Sequence, residues 1–273
     1  MDLQLQGRRA LVTGSTAGIG WAIARELAQA GCAVLVHGRD AARTTAAAQR
    51  LRESVASADV RAASADLSDG PGCDALARAA GELDILVNNL GIFEPKPFES
   101  IPDADWQRYF EVNVMSGVRM ARHALPAMKA RGWGRVVSIS SESGVCPPAQ
   151  MVHYGMTKSA QLSVSHGLAE TCRGTAVTVN AVLPGPTRTE GAVAFFDQLA
   201  RDAGPTLQQA ERDVFQHARP TWLLQRFIEP DEVADGGVRV QPAGCGHPRR
   251  RTAGGRRRRA GLDLKSSLKD GRP

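Results

Sequence analysis

Short apolar runs alternate with longer Ala-rich amphipathic segments along most of this chain, and this alternation is the strongest constraint on its fold. The short runs predict six strands, over Ala10–Thr13, Ala33–Val36, Val60–Ala63, Ile85–Asn88, Arg135–Ile139 and Ala176–Val182. The segments between them predict helices, over Ile19–Ala30, Ala41–Ser57, Gly72–Ala80, Asp105–Ala130 and Val152–Thr171. Strands separated by helices of this length form βαβ units. The sequence therefore predicts an α/β fold, with a single doubly wound parallel sheet and helices on both faces.

Composition excludes several classes of protein. With 273 residues and 42% hydrophobic content, the chain can bury a core, which excludes disorder over most of its length. No run approaches about 18 apolar residues, and the first residues lack the pattern of a secretion signal. We therefore expect a cytoplasmic protein with no membrane partner. Five cysteines are scattered without metal-ligand spacing, which predicts reduced thiols and no metal site: Cys32, Cys73, Cys146, Cys172 and Cys245.

The net charge of +6 comes from the C-terminal tail alone. Residues 239–273 contain 11 Lys or Arg and two Asp or Glu, a balance of +9, whereas residues 1–238 have a balance of −3. The body of the chain therefore gives no indication of a nucleic-acid partner.

The pattern changes after Pro184, beyond the sixth predicted strand. Two helical pieces, Glu190–Arg201 and Leu207–Ala218, are interrupted by Gly204-Pro205. Ligands of a doubly wound sheet bind beyond the carboxyl ends of its strands. Residues 188–226 are therefore predicted to form a substrate lid.

A glycine-rich loop, Thr13-Gly14-Ser15-Thr16-Ala17-Gly18-Ile19-Gly20, follows the first predicted strand and opens the first helix. Glycines let a backbone turn tightly and approach a pyrophosphate, whose charge then meets free N–H groups at the helix N-terminus. Glycines also end strands simply to make a turn. The position between a strand and a helix favours the phosphate-binding interpretation.

Tyr154 and Lys158 form the second chemical signal. They are spaced i, i+4 on one predicted helix, so both side chains lie on the same face. A nearby ammonium favours the phenolate and lowers the pKa of a tyrosine from its usual value of about 10. Such a tyrosine can exchange a proton with a substrate oxygen. The alternative is an ordinary surface pair.

Taken together, these motifs resemble those of the classical short-chain dehydrogenases/reductases. The glycine loop, Asn88-Asn89-Leu90-Gly91, Asn113, Ser140-Ser141, the Tyr154/Lys158 pair and Pro184-Gly185 occur in the order and spacing of that family, over roughly residues 5 to 235. The resemblance implies a Rossmann-type fold, a nicotinamide cofactor and a small-molecule carbonyl or alcohol substrate. It also implies a homo-oligomer, either a tetramer or a dimer.

The resemblance further implies roles for single residues. Tyr154 is the expected general acid/base, Lys158 its pKa modulator and ribose ligand, and Asn113 the anchor of a proton-relay water. Ser141 is the expected partner of the substrate oxygen because it lies 13 residues before Tyr154, although Ser140 could compete. The expected cofactor-binding residues are Gly14, Ser15, Thr16, Gly18, Ile19, Gly20, Arg39, Asp66, Leu67, Asn89, Gly91, Tyr154, Lys158, Pro184, Gly185, Thr187 and Thr189. Leu90 replaces the usual alanine of the family and is expected to crowd the cofactor pocket, and His153 is expected to pack or line the pocket rather than to catalyse.

The choice of cofactor depends on the end of the second predicted strand. A carboxylate there would bind the ribose 2′-hydroxyl of NAD, whereas an arginine pairs with the 2′-phosphate of NADP. Gly38 occupies the place where NAD-preferring relatives carry Asp, and Arg39 follows it. NADP is therefore expected rather than NAD, although Ala17 stands where the family often has a second basic residue.

The tail after Asp235 does not fit the family, and we treat residues 1–235 and 236–273 separately. If one base is dropped from the codon of Gly236 onward, the genetic code allows the missing family ending, with Leu-Arg-Val-Asp-Gly-Gly in place of Thr252–Arg257. Out-of-frame translation is thus one hypothesis, and it leaves the edge of the sixth strand open. The rival is a genuine basic arm for nucleic acid or acidic membranes. A cofactor-binding protein inactivated by its tail is a further alternative.

Overall fold

Seven parallel strands form one sheet in the computed structural model, which describes residues 4–193, 215, 222–239 and 252–253. The strands are β1 (Arg9–Val12), β2 (Ala33–Gly38), β3 (Val60–Ser64), β4 (Ile85–Asn88), β5 (Trp133–Ile139), β6 (Ala176–Leu183) and β7 (Thr252–Ala253). Their order is β3-β2-β1-β4-β5-β6-β7, and every pairing is parallel. The order reverses direction between β1 and β4, which opens a crevice at the carboxyl ends of these two strands. The predicted doubly wound parallel sheet is confirmed.

Seven α-helices with both ends within the described residues accompany the sheet. They are α1 (Gly18–Gln29), α2 (Ala41–Ser54), α3 (Gly70–Ala80), α4 (Asp103–Phe110), α5 (Ser116–Ala130), α6 (Val152–Thr171) and α7 (Pro230–Arg239). Asp40 and Asp69 cap α2 and α3, since their carboxylates accept hydrogen bonds from Arg43 N at 2.7 Å and Gly72 N at 2.8 Å. The single helix predicted over Asp105–Ala130 is instead α4 and α5 joined by a π-helical turn, Glu111–Met115.

The sheet separates two hydrophobic cores. Ala10 and Val12 of β1 pack with α1, α2 and α7 on one face, whereas Leu11 packs with α3 and α5 on the other. Successive side chains of a strand point to opposite faces, so a strand covered on both sides needs apolar residues at every position. This is why the central strands β1, β2 and β4 appear in the sequence as largely apolar runs, and it confirms helices on both faces.

The tail contributes β7, whose two residues pair with Val182 and Leu183 of β6. The expectation that the tail leaves this edge open is therefore wrong over these two residues. Parallel strands pair through main-chain groups, which an out-of-family sequence also offers. Apart from Phe215, the predicted helix Leu207–Ala218 lies outside the described residues. Most of Glu190–Arg201 also lies outside them, although residues 190–193 are helical.

Two further findings concern the described residues only. None of their helices combines the length and the apolar character needed to cross a membrane. They contain no group of three or more His, Cys, Asp or Glu side chains placed to hold a metal ion. Cys32, Cys73 and Cys172 are buried free thiols, Cys146 is an exposed one, and Cys245 lies outside the described part of the chain.

Candidate active site and cofactor cleft

The glycine loop leaves the end of β1 and has the shape needed to hold an anion. Gly14 and Gly18 have φ values of 63° and 56°, a left-handed conformation that favours glycine. Helix α1 starts at Gly18, and its N-cap residue, Ala17, provides no side-chain acceptor for the first-turn N–H groups. These N–H groups and the positive end of the helix dipole are thus available to a ligand. This part of the site fits a cofactor pyrophosphate.

Hydrogen bonds from β4 hold the loop. Thr13 Oγ1 accepts from the main-chain N of Asn89 and of Leu90, each at 3.0 Å. In return, Asn89 Nδ2 donates to the carbonyls of Thr13 at 2.9 Å and Gly14 at 3.0 Å. Asn89 therefore joins the two strand ends on either side of the crevice. Leu90 is not among the residues that line the cleft, and it packs instead beside Gly14 and the core.

His37, at the end of β2, supports the loop from the other side, a role that the sequence analysis missed. Its Nδ1 accepts from Gly14 N at 3.1 Å, and its Nε2 lies 3.1 Å from the carbonyl of Ala65. Because Nδ1 must accept, the hydrogen is assigned to Nε2 and the ring is neutral. Burial also lowers the pKa of His37. Ser15, likewise buried, bonds the main chain of His37 through both its N and its Oγ.

The end of β2 has no space for an acidic side chain. A Cβ added to Gly38 would lie 2.5 Å from Thr16 Cγ2 and 2.6 Å from Thr44 Oγ1. The side chain of Thr16 thus fills the position that a carboxylate would need. Arg39 is exposed and makes no hydrogen bond or ion pair with the described residues.

A second arginine, Arg43 in the first turn of α2, lines the cleft, and the sequence analysis also missed it. Its guanidinium bonds Glu190 Oε2 at 2.8 Å, across the opening between α2 and the segment that follows β6. Both side chains are largely exposed, so the ion pair itself contributes little stability.

The Asp66-Leu67 pair follows β3. Asp66 is exposed and accepts from Ser68 N at 3.0 Å, and its hydrogen bonds to Ser68 lower the pKa of its carboxyl group. The Leu67 side chain is buried in the core. Leu67 is 1% exposed as a whole residue, so neither its side chain nor its main chain is open at the surface.

A cleft of about 620 Å³ brings most of the expected site residues together. Its lining includes Gly18, Ile19, Gly20, Asn89, Gly91, Ser141, Tyr154, Lys158, Pro184, Gly185, Thr187 and Thr189. Gly14, Ser15, Thr16, Arg39, Asp66, Leu67 and Asn113 are not part of that lining. The glycine loop and the Tyr154/Lys158 pair, which are more than 130 residues apart in the sequence, thus face one space.

Tyr154 and Lys158 lie on one face of α6, as the spacing predicted. Lys158 Nζ is 5.4 Å from the centroid of the Tyr154 ring and donates to the carbonyl of Ile139 at 3.0 Å. Phe93 packs edge-on against the tyrosine, with ring centroids 6.2 Å apart. Lys158 is 4% exposed, and burial lowers the pKa of its ammonium to about 7. Burial therefore disfavours the charged form of this lysine.

The two neighbouring serines have different environments. Ser140 Oγ donates to the main-chain carbonyl of Lys158 at 2.8 Å, so its hydrogen is already used. Ser141 Oγ accepts from Ser143 N at 3.1 Å and makes no donor contact with the described residues. Ser141 thus keeps a hydrogen for a ligand in the cleft.

Asn113 is buried behind the cleft, in the π-helical turn. Its Oδ1 accepts from Ile92 N at 2.8 Å, and its Nδ2 donates to the carbonyl of Ile92 and to Thr157 Oγ1, each at 3.0 Å. Its own main-chain carbonyl accepts from the side-chain amide of Gln161. Asn113 therefore fixes the segment after Gly91 against α6.

The segment after β6 approaches the glycine loop. Thr189 lies beside Gly18, where an added Cβ would be 3.3 Å from Thr189 Cγ2. Thr187 Oγ1 donates to the carbonyl of Gly185 at 2.9 Å, and Thr189 Oγ1 accepts from Ala192 N at 3.3 Å. Both threonines thus line the cleft and also stabilise the loop that carries them.

His153, next to Tyr154, belongs to the packing of α6. It is buried against Tyr109, with ring centroids 4.2 Å apart, and neither ring nitrogen has a hydrogen-bond partner among the described residues. Burial lowers the pKa of this imidazole. This placement matches the packing role expected from the sequence.

Comparisons with known proteins agree with this geometry. A family model described as short chain dehydrogenase matches residues 8–200. The chain is 47% identical over 234 residues to the uncharacterized oxidoreductase YvaG of Bacillus subtilis (strain 168), and the match covers 86% of this chain and 89% of that protein. It is 34% identical over 245 residues to D-beta-hydroxybutyrate dehydrogenase of Cupriavidus necator, which covers 84% of this chain and 88% of that enzyme.

The same family appears among solved structures. L-sorbose reductase from Gluconobacter frateurii, complexed with NADPH and L-sorbose, matches with a TM-score of 0.84 and 31% sequence identity, over 89% of this chain and 92% of that one. The chain therefore belongs to the short-chain dehydrogenase/reductase family. It is an NAD(P)-binding oxidoreductase that acts on alcohol or carbonyl groups.

Proposed function

We propose that this protein is an NADP-preferring oxidoreductase that interconverts a carbonyl and a secondary alcohol, with Tyr154 as general acid/base. The observation that carries the proposal is the shared cleft, which is lined by the N-terminus of α1, by Ser141 and by the Tyr154/Lys158 pair. One space thus contains a helix N-terminus, an element that can bind an anion, and a tyrosine, a residue that can exchange a proton.

When bound, the nicotinamide cofactor supplies or accepts the hydride. The first turn of α1 holds its phosphates, Lys158 bonds its ribose, and the Pro184–Thr189 segment borders its nicotinamide end. Ser141 donates a hydrogen bond to the substrate oxygen. Tyr154 gives its hydroxyl proton to that oxygen during reduction and takes it back during oxidation, and the Lys158 ammonium stabilises the phenolate between these steps.

The preference for NADP rests on the end of β2. Gly38 offers no carboxylate to the ribose, and Thr16 fills the space that one would occupy. Two cations, Arg39 and Arg43, lie near the N-terminus of α2, where they can pair with a 2′-phosphate. L-sorbose reductase complexed with NADPH and a 3-oxoacyl reductase of Agrobacterium tumefaciens with NADP bound have the same fold, which agrees with this preference.

The experiment is NADPH oxidation by a panel of carbonyl compounds, beside NADPH binding measured by calorimetry. Tyr154→Phe should reduce turnover at least a thousandfold and leave binding nearly intact, because it removes the proton donor alone. Lys158→Ala should reduce both turnover and NADPH binding. The matched control is Tyr109→Phe, since Tyr109 is the other tyrosine of the chain and lies buried outside the cleft lining.

A Tyr154→Phe variant whose activity stays within tenfold of the parent would overturn this assignment. Cofactor binding by the parent without any turnover across the panel would favour the alternative of an inactive cofactor-binding protein.

A further inference from the structure

Gln161 connects the cleft lysine to the π-helical turn. It follows Lys158 by three residues on α6, and its Oε1 accepts from Lys158 Nζ at 3.2 Å. Its Nε2 donates to the main-chain carbonyl of Asn113. Gln161 and Lys158 are both almost completely buried, at 7% and 4% exposed respectively. The glutamine is thus a buried bridge between an ammonium and a carbonyl.

The two partners determine the orientation of the Gln161 amide. Its oxygen must face the ammonium, which only donates, and its nitrogen must face the carbonyl, which only accepts. The opposite orientation would place two donors together and two acceptors together. Thr157, which bonds Asn113 Nδ2 at 3.0 Å, fixes the acceptor side of the bridge.

The Lys158 ammonium has few other sources of stabilisation. The contacts of its Nζ with the described residues are the carbonyl of Ile139, at 3.0 Å, and Gln161 Oε1. Tyr154 is the titratable group that faces it from α6, while β5 and the π-helical turn contribute main-chain groups and the neutral Asn113. Burial is accordingly the cause of its lowered pKa, and no opposite charge among the described residues offsets it. The two oxygen dipoles are what keeps the charged form accessible.

We propose that Gln161 is a positioning residue that retains the charge of Lys158 and thereby sets the pH at which Tyr154 can exist as a phenolate. The inference rests on the proposed function, because it concerns the same tyrosine and lysine. Without the Gln161 oxygen, the ammonium loses one of its two acceptors and gives up its proton at lower pH. Tyr154 then lacks a neighbouring cation and ionises only at higher pH.

The chain offers a direct measurement of this effect. It contains two tyrosines, and burial raises the pKa of Tyr109 to about 12, so phenolate absorbance at lower pH comes from Tyr154. The experiment is an ultraviolet titration of the full chain, with Tyr154→Phe as the blank. We expect Gln161→Met, which keeps the length of the side chain and removes both hydrogen bonds, to move the Tyr154 transition to higher pH by about one unit.

Three further single variants and one double variant complete the test. Ser165→Ala is the matched control, because Ser165 lies one turn further along α6 and bonds Ser138 Oγ at 3.0 Å without contacting Lys158; it should leave the transition in place. Gln161→Leu removes the same hydrogen bonds with another shape and substitutes for Gln161→Met if that variant does not fold. Lys158→Met should move the transition upward by itself, and adding Gln161→Met to it should have no further effect.

The outcomes separate the inference from the proposed function. If Lys158→Met shifts the transition and neither Gln161 variant does, Gln161 is merely structural and the inference is wrong. If Lys158→Met itself has no effect, the tyrosine and lysine do not act as a pair, and the proposed function fails with it. A shift of equal size in Ser165→Ala would also overturn the inference, since it would reflect general loosening of α6.

Discussion

Substituting Gly38 by aspartate tests the steric argument for cofactor choice. The added Cβ would lie 2.5 Å from Thr16 Cγ2 and 2.6 Å from Thr44 Oγ1, distances that real Cβ atoms do not adopt. Gly38 does not have a positive φ, so the cost arises from space and not from backbone strain. Overpacking of this kind costs about 1–3 kcal/mol. For a domain of this size, that corresponds to a melting temperature lower by about 3–10 °C.

The same substitution should fail to create a preference for NAD. Relief of the clash would displace Thr16, which belongs to the glycine loop, so we expect NADPH binding to weaken without a gain for NADH. Adding Thr16→Ser removes Cγ2 and should recover part of the stability, and this double variant should gain affinity for NADH. Thermal unfolding and calorimetric titration with both cofactors measure these effects.

Gly70→Asp is the matched control, because a Cβ at Gly70 meets nothing within 4 Å. It adds the same charge at the first residue of α3. It should leave the melting temperature and the affinities for both cofactors near those of the parent. The steric reasoning is refuted if Gly38→Asp alone has the melting temperature of the parent and prefers NADH. The space for the carboxylate would then be available without a movement of Thr16.

Three other perturbations have defined outcomes. Arg39→Ala and Arg43→Ala should each raise the Kd of NADPH about tenfold or more while changing that of NADH much less, because a hydrogen bond between charged groups contributes about 1.5–3 kcal/mol. Equal losses of affinity for both cofactors would mean that neither arginine selects NADP over NAD. The pKa of His153 is lowered on folding, so the unfolded chain binds more protons as pH falls below about 6.5 and the parent loses stability there. His153→Phe should reduce that loss in urea unfolding at pH 5 while changing little at pH 7.5, and an unchanged difference between the two pH values would contradict the assignment. A chain whose residues after Asp235 are replaced by the sequence of the shifted reading frame should have a higher melting temperature than the unaltered chain, and it should form a homogeneous dimer or tetramer by size exclusion. Equal melting temperatures and equal assembly would show that residues 236–273 are a structural part of the fold.

The sheet could be predicted from the sequence because its central strands are buried on both faces. Ile85–Asn88 and Val152–Thr171 have the predicted bounds, and the other predicted strands differ from the observed ones by one or two residues at their ends. The π-helical turn at Glu111–Met115 left no signal, because its residues continue the helical pattern on either side. The short strand β7 also left none, since main-chain pairing with β6 has no sequence pattern of its own.

The candidate site likewise contains some residues that the sequence predicts and others that it does not. Motif residues such as Tyr154 and Lys158 were predictable because their spacing on one helix is itself the signal. Arg43 was not, because it lines the cleft opposite Glu190, which lies 147 residues further along the chain. His37 and Gln161 likewise act through contacts with distant segments, at Gly14 and Asn113. Side chains that support a site through long-range contacts have no local pattern, so only the folded arrangement reveals them.

The hydrogen bonds between the glycine loop and the end of β4 determine whether this loop can be transferred to another protein with its shape intact. Asn89 N bonds Thr13 Oγ1 across 76 residues of sequence, and the amide of Asn89 holds the carbonyls that shape the loop. A fragment running from β1 through α3 contains every glycine of the loop and none of these partners. Transplanted into another scaffold, it would keep the motif and lose its shape. Transfer of the glycine loop to an unrelated scaffold therefore requires the ends of β1 and β4 to be moved as one unit.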